Sequence, residues 1–88
     1  MINNLLLIGK FIKKIKKDDN YYIVLKVNDE DFIIKVDSKI DVNQIELVEN
    51  EVIGIKGKIA HPNPSVKYDG YVETIEICAD AIMLLKKS

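Results

Sequence analysis

Several residue types are scarce in this sequence of 88 residues, which has one cysteine, one histidine, no tryptophan and no arginine. A single cysteine cannot form an internal disulfide framework and fits a reducing compartment, so we expect a cytoplasmic protein. One histidine and one cysteine cannot supply the usual ligands of a zinc site, and we expect no metal and no cofactor. No catalytic triad or phosphate-binding loop is recognisable, which makes an enzyme the least favoured class.

Long hydrophobic runs are also absent. The N-terminal run from Leu5 to Ile8 has no basic segment before it and no small-residue cleavage site after it, which argues against a secretion signal. No stretch approaches the roughly 20 apolar residues that cross a bilayer. Gly9 and Lys10 lack the earlier glycine and the following serine or threonine of a phosphate-binding loop. We therefore interpret the run as a buried β-strand.

The overall composition is that of a small folded domain. Hydrophobic residues make up 48% of the chain and charged residues 31%, with 13 lysines against 14 acidic residues. The length allows one domain, spanning residues 1–88, and a domain of this size gains stability by associating with further copies. The net charge of −1 argues mildly against a nucleic-acid partner, but the distribution of the lysines matters more than their sum.

Short β-type runs separated by turn formers are the main pattern in the sequence. We predict five strands, at residues 4–12, 21–27, 32–36, 51–60 and 71–85, and a short helical segment between the third and fourth. The first strand should bend or bulge at Gly9, and the fifth should break near Asp80. The pattern favours an all-β OB-fold, a five-stranded Greek-key barrel, while an SH3-like barrel and a sandwich remain open.

Alternation along the strands separates an inward face from an outward face. The predicted inward residues are Ile23, Leu25, Val27, Phe32, Ile34, Val36, Ile53, Ile55 and Ile59, and we also expect Cys78 to be a core residue. The outward positions of interest are Tyr22, Lys26, Lys35, Lys56 and Lys58. Outward lysines usually serve solubility and discourage edge pairing, but a lysine-lined face can also hold phosphate groups.

Several segments resemble bacterial single-stranded DNA-binding proteins, in the order in which that family carries them. MINNLLLIGKF resembles the opening strand of the family, VIGIKGKI the fourth strand and IEICADAIMLL the closing strand, while YIVLKVN and DFIIKV match the second and third strands more loosely. The resemblance implies an OB-fold that coats single-stranded DNA during replication, repair or recombination, without catalysis. It also implies a homo-oligomer, a dimer or tetramer, with Asn3, Leu5 and Leu7 near a subunit contact.

The same resemblance implies two kinds of binding residue: lysines that contact the phosphate backbone and aromatic residues that stack on bases. The lysine candidates are Lys10, Lys26, Lys35, Lys56, Lys58 and Lys67. The stacking candidates are Tyr22, Tyr68 and Tyr71. The implied partners are single-stranded DNA and proteins of replication or repair, with no membrane.

A second hypothesis comes from a different functional class. Members of that family usually carry exposed aromatic residues on the third strand and in the loop after the fourth. This chain has Asp31 and Asp37 on or beside the third strand and Pro64 in the loop. Together with the acidic balance, these residues favour an OB-fold protein-interaction module or replication-accessory subunit with little or no nucleic-acid binding.

Overall fold

The computed structural model describes residues 4–59, 67–68, 71–72 and 77–85, with the backbone alone at 67–68 and 71–72. A 3-10 turn, Val42–Gln44, lies between the third and fourth strands. The strands are β1 (Leu5–Lys17), β2 (Asn20–Val27), β3 (Glu30–Val36), β4 (Val52–Ile59), β5 (Lys67–Tyr68), β6 (Tyr71–Val72) and β7 (Ile77–Leu84).

Five of these strands close into a barrel in the order β1-β2-β3-β7-β4, with β4 pairing back onto β1. The β3–β7 contact is parallel and the other barrel contacts are antiparallel. The short strands β5 and β6 form a separate two-stranded sheet. The predicted all-β, five-stranded barrel is therefore confirmed, and its helical segment is reduced to a single 3-10 turn. Over the ranges that the structure describes, no helix combines the length and hydropathy that crossing a membrane would require.

The two hairpins that connect the first three strands have the same tight turn. Asp18 and Asp19 have φ values of 51° and 65°, and Asn28 and Asp29 repeat them. Two consecutive left-handed residues are the geometry of a type I′ turn, whose twist matches that of paired strands. Asparagine and aspartate tolerate this region better than most residues. β1 consequently continues through KKIKK, further than the sequence pattern predicted.

The irregularity in β1 does not lie at Gly9, so the bulge predicted there was wrong. Gly9 pairs regularly with Ile53, and the shift in register falls between Phe11 and Lys13. The glycine is needed for another reason: a Cβ at this position would overlap the backbone carbonyl oxygen of Lys26. It permits a close approach of β1 and β2.

β7 continues through Asp80, where the sequence predicted a break. Ala79 pairs with Gly57 and Ala81 with Lys56, so Asp80 is the extra residue of a β-bulge. Gly57 fits against the bulge because a Cβ there would overlap the carbonyl oxygen of Cys78. The bulge keeps the strand paired on both sides of the irregular position.

The main core fills the barrel interior and confirms the predicted alternation. Its largest fully buried side chains come from the inward faces of β2, β3 and β4, together with the 3-10 turn: Ile23, Leu25, Ile34, Val42, Ile53 and Ile55. The remaining predicted inward residues pack within or against the same cluster.

A second, smaller cluster lies on the outer face of β2 and β3. It consists of Tyr22, Val24 and Ile33, and none of the three is more than 6% exposed. Ile12 and Ile15, from the C-terminal half of β1, pack against this cluster. These outward-facing side chains are therefore buried despite lying outside the barrel interior. We refer to Tyr22, Val24 and Ile33 as the outer cluster.

Candidate nucleic-acid interface

A row of side chains crosses the outer face of β3, β7 and β4. Lys35 pairs with Cys78, and Cys78 pairs on its other side with Lys58. Because neighbouring strands lie about 4.8 Å apart, the two lysines stand roughly 10 Å apart with the thiol between them. Lys56 lies two residues before Lys58 and therefore points to the same side. We call Lys35, Cys78, Lys58 and Lys56 the lysine row.

The positive charges of the lysine row are accessible. Lys56 and Lys58 are exposed and Lys35 is partly exposed. Among the described residues, no ion pair or hydrogen bond engages any of these three ammonium groups. Most of the row lines a surface depression of about 270 Å³, whose rim includes Asn20 and Ser38. An anion entering this depression would meet cationic side chains from two strands.

Asp37, at the rim of the same depression, has a local structural role. Its side-chain oxygen accepts a hydrogen bond from the backbone N–H of Lys39 at 2.9 Å, and its backbone N–H donates to the carbonyl oxygen of Ala79 at 3.0 Å. Its own carbonyl accepts from the N–H of Ile40 at 2.9 Å. Asp37 therefore ends β3 and ties it to β7, while its charge offsets part of the positive potential of the row.

Lys10 and Lys26 form a separate pair on the outer face of β1 and β2. They stand directly opposite each other and both are exposed. On its other side, Lys26 pairs with Asp31, one of whose oxygens is buried without a hydrogen-bond partner. Lys26 lies four positions after Tyr22 on β2, a distance of about 13 Å, and Tyr22 is the residue that pairs with Lys35. The structure thus groups Lys35, Lys56 and Lys58 and leaves this pair apart.

Tyr22 does not present its ring for stacking. It points outward next to Lys35, as the alternation predicted, but it is only 6% exposed and belongs to the outer cluster. Its assignment as an accessible stacking residue was therefore wrong, because alternation gives the direction of a side chain and not its exposure. The other aromatic residues whose side chains the structure describes pack in or against the main core: Phe11, Tyr21 and Phe32.

Tyr21 is held at one end of the barrel by polar contacts. Its hydroxyl oxygen accepts a hydrogen bond from Asn43 Nδ2 at 3.0 Å, and Asn43 Oδ1 accepts one from Lys14 Nζ at 2.8 Å. The ammonium group of Lys16 lies 5.8 Å from the centre of the Tyr21 ring, a cation–π distance. These contacts connect the β1–β2 hairpin to the 3-10 turn, so we assign them a structural role.

The remaining stacking candidates belong to the two-stranded sheet of β5 and β6. Tyr68 pairs with Tyr71, and Lys67 pairs with Val72. The side chains of these residues lie outside the described part of the chain, so their binding roles stay predictions.

Two of the three residues expected near a subunit contact, Leu5 and Leu7, lie in the described part of the first strand. Leu5 and Leu7 pack against the main core, whereas Leu6 and Ile8 are 57% and 52% exposed. Asn3 lies outside the described residues. Strand alternation turns the two apolar neighbours of Leu5 and Leu7 towards solvent, and the subunit contact near Asn3, Leu5 and Leu7 stays a prediction.

Cys78 is the site residue that the sequence analysis misplaced. It was expected in the core but is partly exposed between two lysines, while its neighbours Ile77 and Ala79 point inward. Strict alternation from Ile77 would have indicated this orientation. Within the described ranges, no three histidine, cysteine, aspartate or glutamate residues lie close enough together to hold a metal ion.

The comparison with known proteins concerns the fold of the barrel. No family model and no curated protein matches the chain. Among solved structures, it is similar to the chain described as OBody NL8 bound to hen egg-white lysozyme, with a TM-score of 0.64, 15% sequence identity and coverage of 97% of this chain and 96% of that one. The chain has an OB-fold. At this level of identity the likeness concerns the fold alone.

Proposed function

We propose that this protein binds single-stranded DNA without strong sequence preference and acts in DNA replication, repair or recombination as a non-enzymatic, cytoplasmic homo-oligomer. The lysine row is the observation that carries the proposal. It brings three ammonium groups together on one outer face of an OB-fold, free of ion pairs with other described residues. A polyanionic backbone is the ligand that such a track attracts, and it needs no base-specific contacts.

The row favours a path that crosses the strands. A polynucleotide running from Lys35 to Lys58 passes over Cys78, a small side chain that leaves room for the sugar-phosphate backbone. Because the described aromatic rings pack against protein, base stacking falls to Tyr68 and Tyr71 in this proposal. Binding should therefore be dominated by charge and be sensitive to salt, with a slope of log K against log salt of about −2 for three phosphate contacts.

A fluorescence-anisotropy titration of labelled oligo-dT, at low salt and then at rising salt, tests the proposal. We expect saturable binding with the slope given above. Replacing Lys35 and Lys58 together by glutamine should weaken binding and reduce the slope to about −0.7, since one of the three contacts remains. The double variant Lys10→Gln/Lys26→Gln removes the same charge from the separate pair and should leave the slope nearly unchanged. Absence of saturable binding at micromolar protein, or an equal loss of slope in both variants, would overturn the proposal.

A protein-interaction module is the second candidate function. It is favoured by the packing of every described aromatic ring against protein and by the excess of 14 acidic residues over 13 lysines. In that role the chain would contact a replication or repair protein and leave DNA unbound. Inertness towards oligo-dT, combined with recovery of such a protein in a pull-down, would favour this candidate over DNA binding.

A further inference from the structure

Asp37 places a carboxylate beside the two lysines that the depression brings together. It lies two positions after Lys35, so its side chain points to the same side of the sheet, and the two Cα atoms are about 7 Å apart. Both residues line the depression together with Lys58 and Cys78. An anion in this depression is therefore attracted by two ammonium groups and repelled by one carboxylate.

The carboxylate of Asp37 is held in place by hydrogen bonds. One of its oxygens accepts from the backbone N–H of Lys39 at 2.9 Å, and its own backbone N–H donates to the carbonyl oxygen of Ala79 on β7 at 3.0 Å. Within the described ranges, no ion pair joins Asp37 to Lys35 or Lys58, and no hydrogen bond holds their ammonium groups. The negative charge thus stays at the rim while the lysine side chains adjust to a ligand.

Single-stranded and duplex DNA differ in how they meet such a fixed charge. Duplex DNA carries one negative charge per about 1.7 Å of its axis, twice the density of either strand, and its persistence length of about 150 base pairs makes a short segment a stiff rod. A single strand can follow the line from Lys35 over Cys78 to Lys58 and leave Asp37 to one side. A duplex cannot turn its second backbone away from the carboxylate.

We infer that Asp37 is a specificity-determining residue, which makes the lysine row discriminate against duplex DNA by charge repulsion. The inference rests on the proposed function, because it concerns the same site. Discrimination of this kind acts against the wrong ligand and adds no contact with the right one. In water, one phosphate about 7 Å from a carboxylate weakens binding by about threefold, and two such phosphates weaken it by roughly sevenfold.

Asp37→Asn, titrated with labelled oligo-dT and with a dT·dA duplex of the same length, tests the inference. The amide oxygen still accepts the hydrogen bond from the N–H of Lys39, so the turn is retained while the charge is removed. At low salt, fluorescence anisotropy should show affinity for the duplex rising at least about fivefold and affinity for oligo-dT rising no more than about twofold. The preference for the single strand should therefore fall.

Asp29→Asn is the matched control, because it removes the same charge at the opposite end of β3. Asp29 lies in a left-handed turn that asparagine tolerates, so the fold should be unaffected and the preference for oligo-dT unchanged. Asp37→Ser is a second neutral variant, since serine accepts the same kind of local hydrogen bond, and it should reproduce the effect of Asp37→Asn. Circular dichroism checks that all three variants remain folded, and Asp37→Ser decides the question if Asp37→Asn does not.

Three results would overturn the inference while the wild-type chain still binds oligo-dT. They are equal gains for both ligands, an unchanged affinity for the duplex, and an equal loss of preference in Asp29→Asn, which would trace the effect to net charge alone. Absence of oligo-dT binding by the wild-type chain would instead overturn the proposed function, and the inference with it.

Discussion

The outer face of the barrel has two apolar regions. In both, alternate residues of the strands point outward, but one region is buried and the other is exposed to solvent. On β2 and β3, the outer cluster is at most 6% exposed. On β1 and β4, the outward residues Leu6, Ile8 and Val52 are between 43% and 57% exposed. The residues are chemically alike, so the difference must come from what packs over them.

The bulge in β1 accounts for part of the cover over the outer cluster. Ile12 and Ile15 are three residues apart, and strict alternation would place them on opposite faces of the sheet. The extra residue between Phe11 and Lys13 brings both onto the outer cluster. One inserted residue thus converts part of an outer face into a second core, whereas the face of β1 and β4 has no such cover among the described residues.

The largest effect should distinguish two glycines of β4, because a Cβ at Gly57 would meet backbone atoms and a Cβ at Gly54 would meet the ends of side chains. Gly57→Ala should lower the free energy of unfolding by about 3 kcal/mol, because its Cβ would overlap a backbone carbonyl that cannot move aside. Gly54→Ala should cost less than about 1 kcal/mol, since its Cβ would meet the flexible end of Met83. Urea denaturation measures both, and equal losses would contradict the contrast.

The next effect compares two outward valines directly. Val24 is fully buried in the outer cluster, and Val52 is 43% exposed on the outer face of β4. Val24→Ala should cost about 2 kcal/mol and lower the melting temperature by roughly 10 °C, whereas Val52→Ala should cost less than about 0.5 kcal/mol. Thermal melts at a concentration where the chain is monomeric provide the comparison. Similar shifts in both variants would mean that the two outer regions are equally covered.

The smallest effect concerns the turn between the two strands that carry the outer cluster. Asp29→Gly creates an Asn-Gly pair at a left-handed turn and should raise stability by about 0.5 kcal/mol. Glu30→Gly, one residue later in β3, should instead lower stability by about 0.5–1 kcal/mol. Denaturant midpoints check both signs. A loss of stability in Asp29→Gly would show that the aspartate contributes more than its backbone geometry suggests.

These comparisons show which features can be predicted from sequence. Alternation in short strands identified the barrel core, because inward direction follows from the two-residue period alone. It also oriented Tyr22 and Lys35 correctly. It could not predict that Tyr22 is buried, because the cover comes from Ile12 and Ile15. Their position depends on the extension of β1 to Lys17 and on the shift in register between Phe11 and Lys13, neither of which the pattern predicted.

The composition of the candidate site was predicted only in part, for a similar reason. The lysines of β3 and β4 are not adjacent strand to strand, and they meet only because β7 inserts between them in the closed barrel. That insertion also places Cys78 between Lys35 and Lys58. The resemblance to single-stranded DNA-binding proteins suggested the residue types, but the barrel order determines which of them stand together.

Protection of Cys78 from alkylation tests the account most directly, because it is the only thiol in the chain and lies within the lysine row. Iodoacetamide is small and neutral, and mass spectrometry follows its reaction. We expect saturating oligo-dT to slow alkylation several-fold in the wild-type protein and to have little effect in the Lys35→Gln/Lys58→Gln variant. An unchanged alkylation rate at a DNA concentration that saturates binding by anisotropy would contradict a path across the lysine row.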